Sequence, residues 1–266
     1  MLGFTESFFA WLGSTGLPTV LGLTAALALG KRLRPIYLLA FSTGIIVWVF
    51  VDVINGAGNL DVSASFSGGL EQVAIVVLFA VGLVAFSSLD GSIFPSKLTS
   101  GSSLALPLLL SIAIGLHGLG EGSGFADVSA TTPITSLVSA FGGEASGAAY
   151  VAHKFLESLV VGVGYPAFSS GRPTGISARA KDAAPLALGF ILPSVVAMGT
   201  GYFVAYNSSY FYALGAGALL YALLKLAGPI FAQPAPGDAS PSKIVACVMA
   251  GVLCVYLAAL LHSYVP

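Results

Sequence analysis

The chain has 266 residues, of which 56% are hydrophobic and 8% charged, with a mean hydropathy of +0.95 and a formal net charge of −1. Soluble domains carry about a quarter charged residues, so an ordinary globular protein is excluded, and near-neutrality gives no footing for nucleic acid. The prediction is an all-α, polytopic membrane protein forming a single transmembrane domain, with room for about eight spans of roughly 20 residues.

The first apolar run, 8–30, ends on Lys31, Arg32 and Arg34, which the positive-inside rule assigns to the cytoplasm. The N-terminus is then outside, and with no basic segment before the run, a retained span is expected in place of a cleaved signal peptide. The second span, 36–54, carries Asp52 near its outer end. The third, 70–88, returns inward to a short loop, 89–103, containing Lys97. The fourth, 104–127, rises outward, and the fifth, 144–168, descends to a loop holding Arg172, Arg179 and Lys181. A sixth (185–206), a seventh (211–228, with Lys225 at its inner end) and an eighth (244–262) complete the set, with both termini outside. Nine of the ten basic residues fall on cytoplasmic ends or loops; the tenth is Lys154, in the middle of the fifth span. Cys247 and Cys254 are seven residues apart in one apolar run, too far along a helix to bridge.

The fourth and fifth spans each hold a His-x-x-x-Glu pattern, His117 with Glu121 and His153 with Glu157. Residues four apart share a helix face. Counted from Asp127 and Glu144 at about 1.5 Å per residue, both histidines are expected near 15 Å depth, level with each other. Glu121 is then one turn above and Glu157 one turn below, a ladder of ligands. Charged groups at mid-membrane are costly and are retained for a function. Imidazole with carboxylate suits zinc, and also iron, manganese or cobalt. The plain alternative is an interhelical His/Glu hydrogen-bond pair that fixes packing. Asp52, Asp127 and Glu144, with Glu71, are candidates for an outer entrance that concentrates cations. Met198 is weighed as a soft accessory ligand and more readily as core; His262 reads as a surface residue. Most glycines are expected to permit close helix packing, while Gly118, Gly120, Gly122 and Gly124, which flank Glu121, are expected to loosen the helix there.

The blocks His117-Gly-Leu-Gly-Glu121-Gly and His153-Lys154-Phe-Leu-Glu157-Ser, in the fourth and fifth of eight spans, resemble the ZIP (Zrt/Irt-like) family of divalent metal transporters. The resemblance implies that His117, Glu121, His153 and Glu157 are ligands of a transported divalent cation, most readily Zn2+, moving toward the cytosol through the cell membrane. It implies no cofactor acting as catalyst and no enzymatic step. Departures mark a divergent member. Gly118 replaces a residue that in the family ligates a second metal, so one metal is expected, with the Lys154 ammonium in the second-cation position. Prolines common before each Glu are replaced by Gly120 and Leu156, and Ser158 stands where Gly is usual. The partners implied are the metal ion and the lipid bilayer, and a homodimer stays open. The alternatives are a membrane-embedded zinc-dependent hydrolase, which would consume all four side chains as ligands and base, and a retinal-type protein, which needs a lysine deeper in the seventh span than Lys225.

Overall fold

The structure is a computed structural model and describes residues 2–29, 33–57, 69–93, 104–131, 136–168, 176–232 and 240–262. Among these there are helices and turns and no strand. The helices are α1 (Phe4–Leu29), α2 (Pro35–Gly56), α3 (Gly69–Ile93), α4 (Ala105–Gly115), α5 (Gly118–Thr131), α6 (Leu137–Ala140), α7 (Glu144–Phe168), α8 (Ile176–Gly201), α9 (Ser208–Ala232) and α10 (Pro241–His262). Seven segments are long and apolar enough to cross a bilayer, α4 and α5 together counting as one. Outside that set are the four-residue α6 and α7, which is 25 residues long and whose apolar character is diluted by the polar residues of the central motif. The chain is a multi-pass helical membrane protein.

Helix boundaries differ from the sequence reading in two informative places. The sixth span was expected to start at Pro185, but α8 runs back to Ile176 with Pro185 and Pro193 inside it. A proline removes one backbone hydrogen bond per site, and a membrane helix tolerates that because its neighbours re-satisfy the freed carbonyl. The fourth span is interrupted at Leu116 and His117. Lys31, Arg32, Lys97 and Arg172, the side chain of Arg179 and the side chain of His262 lie outside the described residues.

Hydroxyls within the spans bond back to their own helices, as Thr19 does to the Thr15 carbonyl at 2.6 Å and Thr43 to the Leu39 carbonyl at 2.8 Å. That satisfies polar groups which lipid cannot. Apolar side chains stay outside as well as inside: Leu70, Val73, Val77, Val81 and Val84 project from α3, and Val245, Met249, Leu253 and Leu257 from α10. This is the pattern of helices solvated by hydrocarbon.

Close helix contacts are made over glycine. A Cβ on Gly22 of α1 would stand 2.2 Å from the Phe155 carbonyl of α7, and one on Gly122 of α5 would stand 2.2 Å from the Ser194 carbonyl of α8. On α9 and α3 the arrangement is reciprocal, Gly217 against Phe79 and Gly82 against Leu214. Those contacts fix which residues face each other across each pair. The result places α7 between α1, α2, α4 and α10, while α9 packs on α2, α3, α4 and α5. Gly142 and Gly143, at φ 78° and 115°, make the turn that delivers the chain into α7, a conformation other residues adopt only with strain.

Candidate metal centre

The interruption between α4 and α5 falls on His117 itself. Leu119 and Gly120 bond three residues back, to the carbonyls of Leu116 and His117 at 3.0 and 2.9 Å, so the helix tightens and restarts. The Ile114 carbonyl meets Nδ1 of the His117 ring in a short contact. A carbonyl only accepts, so Nδ1 carries the proton and Nε2 is left as the outward-facing ligand atom. The loosening expected around Glu121 is not found: the interruption falls just before the glycine cluster, and α5 is helical through it. Gly118 and Gly122 instead receive Ser194 of α8, and Gly120 receives the ring of Tyr212.

Around Nε2 the groups crowd. Glu157 Oε1 is 2.9 Å away, Glu121 Oε1 3.6 Å, and the ammonium of Lys154 3.1 Å. Lys154 donates to Glu157 Oε2 at 2.6 Å and stands 2.6 Å from Glu121 Oε2, the latter close in charge but off the axis of a hydrogen bond. It also lies 5.6 Å from the ring centres of Tyr150 and Phe190. His117, Lys154 and Glu157 are almost wholly buried, at 1%, 1% and 0% exposure. His153 Nε2 lies 2.8 Å from Glu157 Oε1. Buried polar atoms are ordinarily paired. Here two imidazoles and two carboxylates gather around one ammonium, and the same nitrogen and oxygen atoms are of the kind that ligate a divalent cation.

His117, Glu121 and Glu157 each offer a ligand atom, all within 4.8 Å of one another. The second histidine stands apart from this triple, meeting Glu157 alone. The expected ladder with level histidines gives way to two tiers. His117 and Glu157 are paired in the buried tier, while Glu121 and His153, at 13% and 17% exposure, line a cavity. The spacing within each helix is as expected; the register between them differs by about a turn.

That cavity, about 660 Å³, opens on the side where α2 and α5 end and α7 begins. Asp52 and Trp48 of α2, Trp11 of α1 and Tyr212 of α9 form part of its wall. Of the entrance candidates, Asp52 lines it; Asp127 and Glu144 are exposed at helix ends and are not among its lining residues. Glu71 bonds Asn207 instead, at 2.7 Å. On the opposite side of the site α7 is buried without a break from Glu157 to Tyr165, and Leu110 and Leu226 close against Gly164. Met198 is fully buried in an apolar cluster with Trp11 and Phe125, a packing role. Lys225 is paired with Asp90 at 2.7 Å. Sequence reasoning missed Tyr150 and Tyr212. Tyr150 sits one turn from His153 and was reachable from helix spacing, whereas nothing in the pattern distinguishes Tyr212 from any other aromatic in a span.

Compared with known proteins, the chain matches no family model and no curated protein sequence.

Proposed function

We propose that the protein carries a divalent transition-metal cation, zinc before iron, manganese or cobalt, across the cell membrane toward the cytosol, as the likeness of its two motif blocks to ZIP transporters suggests. The observation that carries the reading is the triple of His117, Glu121 and Glu157, whose ligand atoms lie within 4.8 Å of one another just behind a cavity that Glu121 lines. A mixed nitrogen and oxygen set of this kind holds zinc at about 2.0–2.2 Å per ligand. The ion enters past Asp52 and is met by Glu121 and His153. It then settles between His117 and Glu157 with His153 as fourth ligand, while Lys154 swings off the carboxylates it held. No covalent step is needed. In the eight-span reading of the sequence, with both termini outside, the cavity lies on the extracellular face and the apolar seal on the cytoplasmic one, a conformation open outward and closed inward.

Metal uptake into proteoliposomes tests this. Wild-type protein is expected to move Zn2+ in a saturable way and His117→Ala to move none above empty vesicles. Wild-type protein that moves none of the four metals ends the reading.

A further inference from the structure

Tyr212 occupies a position that the motif blocks do not explain. Its ring is the first thing a Cβ would meet on two glycines from different helices: at 3.1 Å from Gly56, the last residue of α2, and at 2.6 Å from Gly120, next to Glu121 on α5. In each case the near atoms are ring carbons, so both neighbours lie close against the phenol ring. One turn further along α9, Gly215 lies against the backbone of His117, where a Cβ would come 2.4 Å from His117 Cα. Tyr212 therefore stands directly on the cavity side of His117. It lines the cavity together with Glu121 and His153, whereas His117, Lys154 and Glu157 do not.

We propose that Tyr212 is the selectivity constriction of this pathway, a fixed aromatic sill clamped between Gly56 and Gly120 that any cation must clear to pass from the cavity to His117 and Glu157. The clamp distinguishes it from a swinging gate. The ring packs against both backbones: a Cβ on Gly120 would strike it at 2.6 Å, and one on Gly56 would be in tight contact at 3.1 Å. A sill of fixed width, with carboxylate and imidazole beyond it, admits ions that give up water readily. It rejects those that do not, Mg2+ above all, which dehydrates reluctantly. The proposal rests on the transport reading for its ion chemistry, but the width of the sill does not.

The test separates the two. In full-length protein with Cys247 and Cys254 replaced by Ala, a reporter thiol is introduced as His117→Cys, behind the sill, or as His153→Cys, in front of it. Reaction with a charged methanethiosulfonate reagent is then timed. With Tyr212→Ala the His117→Cys thiol is expected to react about tenfold faster or more, as a buried thiol does when water reaches it. The His153→Cys thiol should react at an unchanged rate, and Tyr212→Phe should behave as wild type. Equal rates at His117→Cys with and without the ring, or Tyr212→Phe matching Tyr212→Ala, overturn the proposal.

Should His117→Cys not fold, Zn2+ binding kinetics decide. Removing a constriction speeds association and dissociation by the same factor and leaves Kd in place, so a Tyr212→Ala variant altered in Kd alone speaks against it. In flux, Tyr212→Ala is expected to gain inhibition by Mg2+ that Tyr212→Phe lacks. Wild-type protein that neither binds nor moves metal sinks the transport reading, and the labelling rates still decide the sill.

Discussion

Glu157→Gln is expected to lower zinc affinity by more than the roughly 10–100-fold lost when only an outer-shell partner of a metal site is removed. Glu157 touches three members of the site and joins both histidines. Its Oε1 meets His117 at 2.9 Å and His153 at 2.8 Å, and its Oε2 takes the Lys154 proton at 2.6 Å. Gln keeps the shape and removes the charge, so the helices should pack as before. Its amide can turn oxygen toward Lys154 and nitrogen toward the imidazoles, which satisfies the unloaded site but puts a donor where the metal needs a carboxylate oxygen. Zinc titration of the detergent-solubilised variant by calorimetry reads the outcome. An affinity within about tenfold of wild type would show that Glu157 is a counter-charge for Lys154 and no ligand.

Lys154→Met should act in the opposite sense on stability and on metal dependence. The ammonium neutralises two carboxylates in a site almost closed to water, and breaking a buried pair by removing one partner costs about 3–5 kcal/mol because the other charge stays behind. Here two carboxylates remain, Glu121 and Glu157, with Tyr150 and Phe190 around the vacated position. Without metal the variant is expected to unfold well below wild type. With zinc it should recover most of the difference, since a ligand bound to the native state alone stabilises by mass action. Thermal unfolding in nanodiscs, with zinc and with chelator, compares the two. If Lys154→Met shows the same midpoint in both conditions, the carboxylates do not hold a cation and Lys154 serves packing.

How much of this was legible in the sequence depends on whether one helix or two were involved. Within a helix, spacing sufficed: His117 and Glu121 share a face, as do His153 and Glu157, and Lys154 joins them because it sits three residues before Glu157. Between helices it did not. Depth counted from Asp127 and Glu144 assumed two straight rods, but the span carrying His117 is broken at that residue. The offset of α7 against its neighbours is set by points such as Gly22 on Phe155, and no hydropathy profile contains those contacts. Hence the pairs were found and their tiers were not. Gly162, Gly215 and Gly217 pack closely on neighbouring helices as expected; of those flanking Glu121, Gly118 and Gly122 seat Ser194, Gly120 seats Tyr212, and Gly124 faces open space.

The apolar seal behind Glu157 also has an electrical meaning. From Glu157 to the end of α7 at Phe168 is eleven residues, about 16 Å at 1.5 Å each, while a bilayer core is about 30 Å thick. If water fills the cavity, most of the membrane voltage drops across that seal. A divalent ion reaching His117 and Glu157 then crosses little of the field, and crosses the remainder only when the seal opens. At about 2.3 kcal/mol per charge per 100 mV, the membrane potential would act on the opening of the helices far more than on the capture of the ion.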